Sequence, residues 1–311
     1  MLRCIMILLF LFNPFGDAMS QSIVEEYGQL SVKDSQIVGS SGEPIQLRGM
    51  SSHGLQWFGK LVNKESLLDL RDRWGVTVFR AAMYTAQGGY IDNPKVKSKL
   101  IEIVDMAIEL GIYAIIDWHI LYDNNPQIHQ SKAIEFFSEM SKRYAGVPNV
   151  IYEICNEPNG NISWGGNIKP YSEAVIREIR KNDPKNIIIV GSGSWSQNIH
   201  DPANDPLRYQ NIAYALHFYA GSHGQWLRDR ISYAMGKGLA IIVTEWGTTD
   251  SSGKGNIFLN ESNQWLDFLD SRKISWVNWS YSNAGESSAA LTWDMKLTQS
   301  GHYVKSRILK F

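Results

Sequence analysis

Eight short apolar runs, separated by stretches of helical pattern, set the terms for how this chain can fold. The runs are Ile45–Gly49, Val76–Ala81, Tyr113–Trp118, Val150–Ile154, Ile187–Val190, Ile212–His217, Ala240–Thr244 and Ser275–Ser280. Each has the length of a strand and is rich in Val, Ile and aromatic residues. Between them, Lys97–Leu110 places Leu100, Ile101, Val104, Ala107 and Ile108 at helical spacing and stops at Gly111. Ser131–Tyr144, Tyr171–Asn182, Trp226–Lys237 and Ser262–Arg272 follow the same pattern less regularly. Strands alternating with helices pair in parallel through crossovers, and eight such units in about 250 residues suit a closed (β/α)8 TIM barrel of the α/β class. An open doubly wound sheet is the structural alternative, but no Gly-rich phosphate loop follows the first run. Leu30–Val32 and Gln36–Val38 flank Lys33-Asp34-Ser35 and predict a short N-terminal β-hairpin ahead of the barrel.

Composition narrows the class of function. The 311 residues carry 30 Lys and Arg against 31 Asp and Glu, a net charge of −1. Binding nucleic acid or an anionic membrane calls for a basic surplus, so neither partner is expected. With 44% hydrophobic and 20% charged residues, the chain fits a soluble globular protein. Residues 1–20 read as a signal peptide: Arg3, an apolar run from Ile5 to Phe12 too short to span a bilayer, and a small-x-small exit at Ala18-Met19-Ser20. Cleavage is expected after Ser20, with Ala18 as the competing site. The remainder, 21–311, shows no Pro/Ser/Thr-rich linker or charge block and reads as a single catalytic domain, secreted, extracellular and monomeric. Beyond the leader Cys155 is the sole cysteine, so no internal disulfide is expected. No Cys–His cluster has metal-ligand spacing, so neither a metal nor another cofactor is expected.

The chemistry lies where the runs end. The second run approaches its end at Arg80, the third leads into Asp117-Trp118-His119, and the fourth into Asn156-Glu157-Pro158. Ser194-Trp195 follow the fifth. The sixth ends in His217-Phe218-Tyr219, the seventh in Glu245-Trp246-Gly247 and the eighth in Trp279, while His53 and Trp57 follow the first. A charge at the end of an apolar strand is costly unless it is paired or functional. One such residue is readily explained as a satisfied core group, whereas a whole ring of them in phase is not. In a barrel these ends converge on the face that carries catalysis. Two carboxylates, Glu157 and Glu245, ringed by aromatics match glycoside hydrolysis: one group protonates the leaving sugar oxygen while the other attacks or activates water. Glu153 and Asp117 read as interior partners of neighbouring polar groups. Cys155, Trp118 and Trp246 read as packing residues.

On these residues the chain resembles glycoside hydrolase family 5, in particular its secreted endo-β-1,4-glucanases. The carrying motifs are Arg-Gly-Met-Ser-Ser-His-Gly-Leu-Gln-Trp at 48–57, Phe-Arg-Ala-Ala-Met-Tyr at 79–84, Asp-Trp-His at 117–119, Tyr-Glu-Ile-Cys-Asn-Glu-Pro-Asn-Gly at 152–160, His-Phe-Tyr at 217–219, Thr-Glu-Trp-Gly at 244–247 and Trp-Val-Asn-Trp-Ser at 276–280. The resemblance implies retaining, endo-acting hydrolysis of β-1,4-glucan, with Glu157 as acid/base and Glu245 as nucleophile. It implies that Asn156 binds the sugar 2-hydroxyl, that Arg80 and Tyr219 hold Glu245 ionised, and that His119 and His217 complete the hydrogen-bond ring. Trp279 would be the sugar platform at the cleavage point. His53, Trp57, Tyr84 and Trp195 would contact neighbouring sugars. The negative charge of Glu245 would in turn keep Glu157 protonated. Many relatives carry a lysine shortly after the strand-eight tryptophan; the corresponding position here is Ala284, while Glu286 is retained. An endo-mannanase or xyloglucanase of the same family is the nearest alternative, and a non-catalytic glycan-binding barrel the alternative from another class.

Overall fold

The computed structural model describes residues 21–310. The predicted signal peptide lies outside the described residues. Two short antiparallel strands come first, β1 (Ser31–Lys33) and β2 (Gln36–Val38). Eight more follow: β3 (Arg48–Ser52), β4 (Val78–Tyr84), β5 (Tyr113–His119), β6 (Val150–Glu153), β7 (Ile188–Val190), β8 (Ile212–Tyr219), β9 (Ala240–Gly247) and β10 (Trp276–Tyr281). These eight close into one barrel, with β10 returning to pair with β3 and every pairing parallel. The chain is a (β/α)8 barrel.

Alternation along the strands sorts the side chains into two layers. In β5, Ala114, Ile116 and Trp118 face the surrounding helices, while Tyr113, Ile115, Asp117 and His119 face the axis. In β4 the outward set is Phe79, Ala81 and Met83, and the inward set is Val78, Arg80, Ala82 and Tyr84. The lower part of the barrel interior is apolar: Val78, Tyr113, Ile115, Ile151, Ile189, Ala215, Ile242 and Val277 pack together. Leu30 and Ile37 from the hairpin region, with Ile45 and Leu47, close this end as a floor. Polar ties fasten it, since the Tyr113 hydroxyl donates to Gly28 O at 2.7 Å and Val32 N–H to Asn211 Oδ1 at 3.0 Å.

Two departures from the expected elements are informative. The first barrel strand begins at Arg48, later than its apolar run, because Ile45 and Leu47 are buried in the floor and not in the ladder. The helix Lys64–Trp74 was not anticipated. It is bounded by an Asn63 capping box with Ser66 and by Gly75 in the left-handed region, and it buries Leu67, Leu70 and Trp74.

One irregularity bears directly on function. Ala215 of β8 stands opposite Ile242 of β9, yet His217 stands opposite Glu245. On the other side, Trp276 of β10 opposes Val243 and Asn278 opposes Trp246. In both pairings β9 spends one residue more than its neighbour, which is a β-bulge at Thr244–Glu245. Thr244 and Glu245 consequently both face the axis, while Val243 and Trp246 pack outward.

Candidate active site

Above the apolar floor, the inward positions of the same strands turn polar. Arg80, Asp117, His119, Glu153, Asn156, Thr244 and Glu245 are all buried, together with His217. Over them opens a cleft of about 750 Å³ at the C-terminal ends of the strands. Its walls include His53, Trp57, Tyr84, His119, Glu157, Trp195, His217, Tyr219, Glu245, Trp279 and Glu286. Arg80 and Asn156 lie beneath these walls. Ala284 is not among the lining residues. Sequence reading passed over Gln87, Tyr122, Gln197 and His223, which also line the cleft. Tyr122 is 67% exposed and follows the Asp-Trp-His strand end. An aromatic side chain in a loop just past such an end was its available signal.

One oxygen each of Glu157 and Glu245 and a nitrogen of His217 lie within 4.8 Å of one another. Glu245 accepts from the Tyr219 hydroxyl at 2.9 Å and, at 3.4 Å, from Arg80 Nη1. Arg80 is engaged more closely elsewhere. Its Nε meets Glu153 at 2.6 Å, and its Nη2 meets Asn156 Oδ1 at 2.7 Å and Asp117 Oδ2 at 3.0 Å. It thus braces the whole polar layer, with Glu245 as the longest of its three ion pairs with acids. Asn156 donates through Nδ2 to Ile120 O at 3.0 Å and to His119 Nε2 at 3.2 Å, so both amide hydrogens already have protein partners. This fixes His119 as an acceptor at Nε2 and a donor at Nδ1, which meets Asp117 Oδ2 at 2.7 Å.

The electrostatics follow from burial. His119 is held well below its ordinary range by burial and by the charge of Arg80. Burial brings His53 down to about 4, so both imidazoles are neutral in the cleft. Burial and the neighbouring Glu157 push Glu245 up to about 7, against the pull of His217, Arg80 and Tyr219. Arg80 and Tyr219 do favour the ionised form of Glu245, as expected of them, but burial and Glu157 outweigh that pull. Burial drives the Tyr219 hydroxyl well above its usual range, so it stays a donor to Glu245.

Aromatic rings build the groove. Tyr84 stacks on His119 with ring centres 4.1 Å apart, and His119 stacks on Trp279 at 5.3 Å. Trp57 meets Tyr84 edge-on at 5.1 Å and is 48% exposed, leaving a free face. On the opposite wall Trp195, 47% exposed, sits in an unusual loop. Ser194, Trp195 and Ser196 have φ of 56°, 55° and 56°. Each left-handed residue that is not glycine costs about 1–2 kcal/mol. The conformation is held by Trp195 N–H donating to Pro158 O at 3.1 Å and by Ser196 Oγ donating to Asn156 O at 2.6 Å.

Among the described residues, Glu157, His217 and Glu245 form a grouping with cation-like spacing. Both His217 nitrogens are committed, however, Nδ1 to Glu157 and Nε2 to Thr244, each at 2.8 Å. Arg80 adds a fixed positive charge alongside. These are features of a hydrogen-bonded acid pair, and we assign no metal to them.

The model of the cellulase family, glycosyl hydrolase family 5, matches residues 38–285. The chain belongs to glycosyl hydrolase family 5. Family members similar to it include Endoglucanase N of Pectobacterium atrosepticum, 54% identical over 300 residues that make up 94% of this chain and 68% of that protein. Endoglucanase A of Evansella cellulosilytica is 53% identical over 97% of this chain and 64% of its own length. The chain thus spans about two thirds of these family 5 relatives. Among solved structures, one from Cytophaga hutchinsonii superposes with a TM-score of 0.90 at 44% identity, covering 92% of this chain and 96% of that one. The catalytic domain of Thermobifida fusca endoglucanase Cel5A in complex with cellotetraose gives 0.88 at 36% identity, covering 92% and 99%.

Proposed function

We propose that this family 5 chain hydrolyses internal β-1,4-glucosidic bonds of cellulose and related β-glucans with retention of configuration, Glu245 acting as nucleophile and Glu157 as acid/base. The observation that carries the reading is the pair itself. Carboxylate oxygens of Glu157 and Glu245 approach within 4.8 Å across one cleft. Retaining pairs stand about 5–5.5 Å apart and inverting pairs about 6.5–9.5 Å, because the latter must admit a water. The division of labour follows from the donors. The Tyr219 hydroxyl and Arg80 Nη1 both point at Glu245, so negative charge is favoured there.

In the first step Glu245 attacks the anomeric carbon while Glu157 gives its proton to the departing oxygen. In the second, Glu157 takes a proton from water, which displaces Glu245 from the sugar. Trp57, Trp195 and Trp279 offer flat apolar faces to successive pyranose rings. The relatives named endoglucanases, and the cellotetraose bound to the Thermobifida fusca enzyme, support a β-glucan as substrate. The leader pattern over residues 1–20 supports secretion. Among the described residues no helix is long and apolar enough to cross a membrane.

The test is a panel of carboxymethyl cellulose, mannan and xyloglucan, with products resolved by length and anomer. Fastest cleavage of the cellulose derivative, giving several oligomers of β configuration at early times, is the expected result. Preference for mannan or xyloglucan would assign the chain to another branch of the family. Initial α-anomers would overturn retention, and binding without turnover would leave a glycan-binding barrel.

A further inference from the structure

Glu153 is buried below the cleft and lines no part of it, yet it lies one hydroxyl away from the acid/base machinery. Its Oε2 accepts from Arg80 Nε at 2.6 Å, and its Oε1 accepts from Thr244 Oγ1, also at 2.6 Å. An ionised carboxylate can only accept, and a hydroxyl has one hydrogen to give. Thr244 gives that hydrogen to Glu153. Toward His217 Nε2, 2.8 Å away, the Thr244 oxygen can therefore only accept, so Nε2 carries a hydrogen. The other ring nitrogen, Nδ1, faces Glu157 Oε1 at 2.8 Å. Two arrangements satisfy this contact. A neutral His217 accepts from protonated Glu157, or a charged His217 donates to ionised Glu157. A second proton would set N–H against O–H and break the contact.

We infer that Glu153 and Thr244 are positioning residues that fix His217 with Nε2 protonated, so that His217 and Glu157 share the single proton delivered to the leaving sugar oxygen. The inference rests on the reading of Glu157 as the acid/base. When His217 holds the proton, it moves from Nδ1 to Glu157 Oε1 and leaves a neutral imidazole that keeps its Nε2 hydrogen. Glu157 then passes it to the glycosidic oxygen as that bond breaks and the bond from Glu245 to the anomeric carbon forms. Glu157 is left as a carboxylate until water returns a proton in the second step.

The groups around His217 favour such sharing. Glu153 of β6, Glu157 just after it and Glu245 of β9 are its acidic neighbours. Arg80 of β4 and Asp117 and His119 of β5 complete the surroundings. Burial alone would lower His217, but the Glu153 carboxylate 3.8 Å from Nε2, the hydrogen bond to Glu157 and the charges of Glu245 and Glu157 push it up to about 9. Burial would raise Glu153, but the charge of Arg80, the nearby His217 and the hydrogen bond from Arg80 bring it down to about 2, so it remains ionised across the working range.

The experiment compares wild type, Thr244→Val, Thr244→Ser and Glu157→Gln in pH profiles of kcat/KM. One substrate is a cello-oligosaccharide, the other an aryl cellobioside whose acidic phenol leaves without protonation. Without the Thr244 oxygen, neutral His217 can switch to the Nδ1–H form and stabilise ionised Glu157. In Thr244→Val the alkaline limb for the cello-oligosaccharide should move to lower pH by about one unit, with a loss of up to ~10-fold at pH 8, while the aryl substrate is spared. Thr244→Ser should restore the limb. A Thr244→Val limb that superimposes on wild type overturns the inference. Should that variant not fold, 15N-histidine spectra of the wild type decide. Nε2 should stay protonated while Nδ1 titrates, and a bare Nε2 sinks the assignment. Glu157→Gln separates the two claims. If it still cleaves cello-oligosaccharides normally, the acid/base reading itself falls. If it loses that cleavage while the Thr244→Val limb is unmoved, the relay alone falls.

Discussion

The barrel interior has two halves built on the same strands and the same inward phase. Below lie Val78, Ile115, Ile151, Ile189 and Ile242; above lie Arg80, Asp117, His119, Glu153 and Glu245. Both sets are buried to a similar degree, yet one does nothing but pack and the other holds charges against their desolvation. Burying a paired charge seldom adds stability over an apolar residue of the same volume. The upper half is therefore a place where fold stability is given up for chemistry, and the lower half is where it is recovered.

Substitutions in the two halves should separate these roles. The largest effect belongs to Glu245→Gln, which removes the proposed nucleophile and should abolish turnover on every glucan, measured as reducing ends released. Residual activity above about 10⁻³ of wild type would contradict the proposed division of labour. Glu157→Gln should cost about 10²–10⁴-fold on cellulose derivatives and far less on aryl cellobiosides with good leaving groups. In the lower half, Ile115→Ala should cost about 2–5 kcal/mol in denaturant unfolding while kcat at low temperature stays close to wild type.

The comparison also has a pH signature. Glu245 is raised from its ordinary 4.5 to about 7 in the folded protein. The folded state thus favours its protonated form, and that contribution is complete below 4.5 and lost as pH climbs through 7. Glu245→Gln, always neutral, escapes the loss. Its unfolding free energy should gain on that of wild type progressively between pH 4.5 and 7 and then level off, by up to about 3 kcal/mol, measured by denaturant unfolding. A gap that does not change with pH would mean that Glu245 is not held up by its surroundings. The smallest effect is expected from Ala284→Lys. A lysine in this loop, two residues before Glu286 of the cleft wall, should change KM for cello-oligosaccharides by a few-fold and leave kcat alone. Unchanged affinity and preference would show that this loop does not reach the sugar.

Much of this was legible in the residues. Each barrel strand coincides with or overlaps an apolar run, and the polar residues at the strand ends converge as the barrel requires. Hydrophobicity reports burial, however, and not hydrogen-bonding partners. Ile45 and Leu47 were therefore read as strand when they form the floor. The Lys64–Trp74 helix announced itself through Asn63, Ser66 and Gly75, a signal that was present and unread. The bulge in β9 had no such signal. It exists only as a mismatch in count between β9 and its two neighbours, so Thr244 could not be placed beside His217 before the strands were paired. Nor could Arg80 be seen to grip Glu153 more tightly than Glu245, because several acids compete for one guanidinium and only distance ranks them.

The left-handed turn at Ser194–Ser196 is fastened to Asn156 and Pro158, the residues on either side of Glu157. The aromatic face proposed to seat a sugar and the proposed proton donor beside it thus share one chassis. Exchanging Trp195 to suit a different glycan would disturb the aim of the acid along with the grip on the ligand, so selectivity on that wall and catalytic rate are inherited together.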